Sequence, residues 1–212
     1  MWRATVTATD LVSIPNLIRC ESTPMPVLLD IVSRRVQDSY SHDTIYGFAC
    51  NLQMYIAARP VDVFSYLSDV YSLEEYTYSV RGLQPFNDAG VYVGQDTVAP
   101  ETTIYVHTVA NVEAGTIDYR CAWDQPDELW MVYLFRVLDA SDVLGRPGTV
   151  ITWTNMHHRY YDENPYPDRA PDRPDRFWVG ELWPQFHAGH SLELENIKAI
   201  MEARHPEPGG DR

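Results

Sequence analysis

From residue 79 to residue 159 the chain is a succession of strand-like runs separated by turn signals. "SVRGLQPF" ends at Asn87-Asp88-Ala89-Gly90, "VYVGQDTV" at Ala99-Pro100, and "TTIYVHTVANV" at Glu113-Ala114-Gly115. "TIDYRCAW" ends in the turn Asp124 to Asp127, and "LWMVYLFRVL" runs into "DASDVLGRPG" before the last run, "TVITWTNMHHR". Connections this short join antiparallel neighbours, because parallel strands need a crossover of about a dozen residues or more. Upstream, "YGFACNLQMYIAA" places Phe48, Cys50, Leu52, Met54 and Ile56 on one face and Ala49, Asn51, Gln53 and Tyr55 on the other, the alternation of a half-buried strand. Between that strand and the meander, "RPVDVFSYLSDVYSLEEY" reads as a short helix opened by Pro60, with Val61, Phe64 and Leu67 at helical spacing, and then a second around Ser72 to Tyr76. A Pro-, Asp-, Arg- and Tyr-rich stretch, "YYDENPYPDRAPDRPDR", leads into a long C-terminal helix. A sheet with one apolar face has to bury it, and that helix is the only element long enough to do so. The expected fold is therefore α+β: a seven-stranded curved antiparallel sheet wrapped around a long C-terminal helix, with two short helices after the first strand.

Residues 1–40 read as an N-terminal extension. A helix is expected over 24–39, capped by Thr23, with Val27, Leu28, Ile31, Val32 and Val36 as its stripe. The main domain is expected over 41–204, and the polar, Pro- and Gly-rich 205–212 as a disordered tail. The formal charge of −14 argues against nucleic acid and against an anionic membrane surface, both of which need a basic face. Cys20, Cys50 and Cys121 are widely spaced and form no C-x-x-C, so neither a disulfide framework nor a zinc knuckle is expected. Cys50 and Cys121 read as buried free thiols. No apolar run approaches a membrane span, and the first twenty residues lack the basic start and apolar block of a signal peptide. The expected location is cytoplasmic. No G-x-G-x-x-G or P-loop is present, so no cofactor is expected. Oligomeric state is left open, a homodimer included.

The order of elements resembles the START/Bet v1-like (SRPBCC) superfamily, the helix-grip fold that includes polyketide cyclases, lipid-transfer proteins and plant ligand binders. The resemblance covers about residues 44–204. "IAARPVDVFSYLSDV" resembles the family's strand-to-helix entry, "GTVITWTNM" its last strand, and "LELENIKAIMEAR" its helix end. Tyr76 departs from the pattern, since many members carry Trp after the second helix. The resemblance implies an internal cavity between sheet and helix. It implies either a polyketide cyclase/dehydrase-like enzyme or a carrier or sensor of a lipid or aromatic metabolite. Its motifs are structural and specify fold better than function.

The residues themselves supply candidates. At about 100° per residue, Val179, Phe186, Leu194, Ile197 and Met201 form one stripe of the terminal helix, flanked by Leu182 and Trp183. His190 lies near the middle of that stripe, with Glu193 beside it at i,i+3. A His and a Glu on an apolar stripe need partners or water. A carboxylate next to an imidazole orients it and favours its protonated form, which suits a proton-transferring histidine. A hydrogen-bonded core histidine is the plainer alternative. Pro184 means that the helix either begins there or kinks there. On the last strand, alternation from Trp153 aims Asn155 and His157 inward, although His157 near a strand end is equally compatible with solvent. Tyr119, Tyr133 and Phe135 face the same way. The expected catalytic residues are His190, Glu193 and His157. The expected substrate-binding wall is Tyr119, Tyr133, Phe135, Trp153, Asn155, Trp183, Phe186 and Leu194, around a hydrophobic or aromatic small molecule. His187 falls at the edge of the stripe, and no metal site is expected, since a His pair at i,i+3 lacks a clear third ligand.

Overall fold

The computed structural model describes residues 11, 13–39 and 48–205, with backbone alone for 36–39. The expected tail lies outside these residues apart from His205. The elements in chain order are α1 (Met25–Ser39), β1 (Ala49–Ile56), α2 (Pro60–Ser68), α3 (Ser72–Tyr76), β2 (Val80–Pro85), β3 (Val91–Asp96) and β4 (Thr103–Asn111). They continue with β5 (Thr116–Trp123), β6 (Met131–Asp139), α4 (Ala140–Leu144), β7 (Thr149–Met156), 3-10 turns at Arg159–Tyr161, Pro167–Arg169 and Val179–Gln185, and α5 (Phe186–Arg204). The strands form one seven-stranded antiparallel sheet in the order β1-β7-β6-β5-β4-β3-β2. The first strand pairs with the last, so α2 and α3 carry the chain from one edge of the sheet to the other. This is the α+β helix-grip architecture.

Register explains the core. Cross-strand pairing aligns Leu52, Trp153, Phe135 and Ile117 in one row across the sheet, and Cys50, Asn155, Tyr133 and Tyr119 in the next. Because side chains alternate between faces, both rows fall on the concave side that meets α5. Phe48 does not join them. It precedes β1 and is 86% exposed, so the alternation begins only at Cys50. On α2 the buried face is Val63 and Leu67, and Val61 is exposed. The β6–β7 connection contains α4, which the sequence reading treated as a turn. The Asp139 side chain accepts the Ser141 N–H at its start, and Gly145 at φ 67° ends it in the left-handed conformation.

Helix α5 starts two residues after Pro184, so the proline sits in the preceding 3-10 turns instead of kinking an α-helix. Its sheet-facing side buries Phe186, Leu194, Ile197 and Met201. Its opposite side buries Ala188 and Leu192 against Leu28 and Val32 of α1. Burying Leu28 and Val32 contributes on the order of 1.5–3 kcal/mol each. The packing is reinforced by polar contacts. Asn196, 1% exposed, donates to the carbonyls of Ile18 (2.8 Å) and Tyr76 (2.9 Å) and accepts the Ile18 N–H (3.2 Å). Arg35 grips Glu195 with two bonds of 2.7 and 2.9 Å, and Glu202 accepts the Ala57 N–H at 2.8 Å.

Candidate functional site

Between the concave sheet face, α5 and the turns before it lies a cavity of about 90 Å³. Strands β3 to β7 supply Asp96, Val106, Tyr119, Trp123, Tyr133 and Trp153 to its wall, and α5 supplies Phe186, His190 and Glu193. The segment after α3 adds Thr77, Tyr78 and Ser79. The lining is a mixture of aromatic and aliphatic side chains with a few polar groups, as is usual for a small-molecule site.

The imidazole of His190 is held on three sides. It stacks on Trp153 with centroids 4.4 Å apart, and meets the edges of Phe186 at 5.0 Å and Tyr133 at 5.4 Å. Its Nδ1 lies 3.1 Å from Glu193 Oε2. Its Nε2 is buried and has no hydrogen-bond partner. With the Glu193 carboxylate ionised, Nδ1 carries the proton and Nε2 presents a free lone pair. Burial raises the Glu193 carboxyl above its ordinary value, and the His190 hydrogen bond and charge oppose this. Asp96 adds to the rise, and the Tyr78 N–H lowers it. Burial likewise holds the Tyr133 phenol well above its ordinary range, so it is a hydrogen-bond donor at neutral pH.

The structure brings Tyr119, Tyr133, Phe135, Trp153, Phe186, His190 and Glu193 together around the cavity. The other expected site residues lie elsewhere. Asn155 is fully buried one layer away, donating to Val132 O (3.3 Å) and Tyr161 Oη (3.4 Å), with its Oδ1 unpaired. Trp183 packs behind Phe186 at 5.1 Å, and Leu194 belongs to the core beneath the site. His157 follows the end of β7, so the alternation no longer fixes its direction. It packs edge-on against Trp183 at 4.6 Å, and its Nε2 lies 3.5 Å from Asp162, which is largely exposed. Among the described residues, no three His, Cys, Asp or Glu side chains converge as a metal site.

Asp96 was missed by the sequence reading. It lies within the strand-like run "VYVGQDTV", where it was not singled out, yet it ends β3, is 9% exposed and lines the cavity. Trp123 Nε1 donates to its Oδ2 (3.2 Å) and the Val98 N–H to its Oδ1 (3.3 Å). Burial raises its carboxyl above the ordinary value, while Ser79, Val98 and Trp123 oppose the rise.

The Pro- and Arg-rich segment forms a strap beside the mouth, where Val179 and Leu182 reach the lining. Trp178 packs on Trp123 (6.1 Å) and Trp130 (5.9 Å). Arg176 pairs with Asp124, both side chains almost fully buried, and also donates to Thr102 Oγ1 at 3.1 Å. Tyr166 donates to Glu128 (2.9 Å), and Arg169 and Arg173 pair with Asp127 and Glu101. Gly180 fits against the Arg159–Tyr161 turn because a Cβ there would overlap the Tyr161 carbonyl.

No family model and no curated protein matches this sequence. Solved structures do match. The Zhui aromatase/cyclase from Streptomyces sp. R1128 is similar over 77% of this chain and 98% of its own, at 17% identity and a TM-score of 0.52. The protein XoxI from Bacillus cereus is similar over 73% of this chain and 95% of its own, at 14% identity and a TM-score of 0.50. Likeness at these identities extends to the fold alone.

Proposed function

We propose that this protein is a small-molecule enzyme of the polyketide cyclase/dehydratase type. It would hold a hydrophobic or aromatic intermediate in the cavity and promote cyclisation or dehydration by acid–base chemistry. One observation carries the reading: the buried, unpartnered Nε2 of His190 in an aromatic cavity, with Nδ1 held by Glu193. In the proposed reaction Nε2 takes a proton from the carbon next to a carbonyl. Glu193 stabilises the imidazolium that results, and Tyr133, exchanging its hydrogen bond to Tyr161 for one to the substrate, donates to the enolate oxygen. The enolate carbon then attacks a second carbonyl, and the imidazolium returns the proton to the new alkoxide. Loss of water would follow by the same two-way proton traffic. The pocket contributes by holding the reacting carbons in contact. A cavity of about 90 Å³ is smaller than the roughly 150 Å³ that admits benzene. Even a one-ring ligand therefore requires the strap to move or lodges only in part.

A second reading is a non-catalytic carrier or sensor of a lipid or aromatic metabolite. The paired state of Asp96 favours it, since a carrier leaves few polar groups unmatched. The two readings separate when the protein is added to a reconstituted minimal polyketide synthase that releases a reactive poly-β-ketone chain. Products are followed by liquid chromatography and mass spectrometry. The enzyme reading expects one cyclised or dehydrated product to dominate. With His190→Ala it expects a rate lower by about 10²–10⁴, the usual worth of a general acid–base. A product distribution unchanged by the wild-type protein sinks the reading, as does full activity in a folded His190→Ala variant.

A further inference from the structure

Two buried carboxyl groups share this cavity. Asp96 lines it from β3 and Glu193 from α5, with the His190 imidazole 3.1 Å from Glu193. No lysine or arginine is among the lining residues. The nearest guanidinium acting on Asp96, that of Arg81, is already engaged by both carboxylate oxygens of Glu21 and by the carbonyls of Thr77 and Val80. Apart from Thr77, Ser79 and His190 the rest of the wall is aliphatic side chains, Cys121 and aromatic rings, Trp123, Trp153 and Tyr133 among the rings. The wall is not fully satisfied within the protein. His190, on the same wall, has a buried Nε2 without a partner, an acceptor whenever Nδ1 carries the proton. A buried polar atom without a partner is rare and calls for a ligand or water. Asp96 accepts the Trp123 indole N–H and the Val98 N–H, with Ser79 as a further donor, and its oxygens keep capacity for one more.

We infer that this cavity takes a ligand bearing a protonated amine, with Asp96 and Glu193 as its counter-charges and the aromatic rings as its walls. Two carboxyls in a poorly solvated space repel each other unless a proton or another cation sits between them. An ammonium supplies that charge, together with donors for charge-assisted hydrogen bonds. The rings add cation–π attraction, which strengthens when water is excluded. A carboxylate ligand would bring a third negative charge to the same space. The inference rests on the proposed use of this cavity as the ligand site, but not on any turnover there.

Three probes of one shape and different charge test it: benzylamine, benzyl alcohol and benzoate, titrated into the full chain at pH 7.5 by calorimetry. The expected result is benzylamine binding at least about tenfold more tightly than benzyl alcohol, and no binding of benzoate. Asp96→Asn and Glu193→Gln are each expected to lower benzylamine affinity about tenfold and to leave benzyl alcohol nearly unchanged. Thermal melts confirm that each variant is folded, and either one suffices if the other is not. Equal binding of amine and alcohol, tighter binding of benzoate, or no binding of any probe overturns the inference. A protein that binds the amine but cyclises nothing loses the proposed reaction and keeps this inference. One that cyclises but prefers the alcohol does the reverse.

Discussion

Removing Arg176 tests whether the strap is held by a buried charge pair or by its aromatic contacts. The Arg176 and Asp124 side chains are 5% and 4% exposed. Breaking a fully buried pair by deleting one partner costs about 3–5 kcal/mol, because the remaining charge is left without compensation. Asp124 retains one donor, the Thr103 N–H at 3.3 Å, which shares part of that charge. The expected cost of Arg176→Met is therefore near the bottom of that range, about 3 kcal/mol. Replacing both partners, Arg176→Met with Asp124→Asn, removes the stranded charge and is expected to cost about 1 kcal/mol, less than the single change. Urea denaturation followed by circular dichroism measures both. Limited trypsin digestion at Arg169 reports whether the strap loosens ahead of global unfolding. A loss under about 1 kcal/mol for the single variant refutes the reasoning. So does a double variant less stable than the single one, since Asp124 would then carry no penalty as a stranded charge.

Two further outcomes follow from buried polar groups. Burial raises the Glu193 carboxyl, so from about pH 4.5 upward the folded chain binds more protons than the unfolded chain, and stability falls as pH rises. Glu193→Gln removes that slope, and urea midpoints between about pH 4.5 and 8 should show a gap in the variant's favour that widens with pH; a constant gap counts against the assignment. Asn196→Ala breaks three hydrogen bonds that tie α5 to Ile18 and Tyr76, at about 1 kcal/mol each, so a loss of about 3 kcal/mol and faster proteolysis near Arg19 are expected. Wild-type stability in that variant means that the N-terminal segment is held by its apolar contacts alone.

The strands were legible because their burial alternates. Tyr119, Tyr133 and Trp153 were assigned to the inner face from period two alone, and pairing places them side by side. His190 and Glu193 stood out because polar groups on an apolar stripe are costly, which is a local signal. Asp96 gave no such signal. Its inward direction comes from where β3 ends and from its pairing opposite Val80, and neither is visible in "VGQDT". His157 failed for a related reason: alternation extends only as far as the strand, and β7 stops at Met156. The strap was unreadable as structure because its order depends on distant partners, Glu101, Asp124, Asp127 and Glu128.

The packing of α5 on both sides bears on how a guest molecule gets in. In a sheet that holds one exposed helix, the helix can lift and let a ligand pass beneath it. Here α1 presses on the back of that helix, Asn196 stitches it to Ile18, and Arg35 and Ala57 fasten its outer edge. Lifting it would mean peeling off the N-terminal segment first. Traffic is thereby directed to the other end of the cavity, where the strap rests on the buried Arg176 pair and on the pairs of Arg169 and Arg173, which water can reach and ionic strength can weaken. Entry should accordingly quicken with salt, making admission to the chamber a property of the solution as much as of the guest.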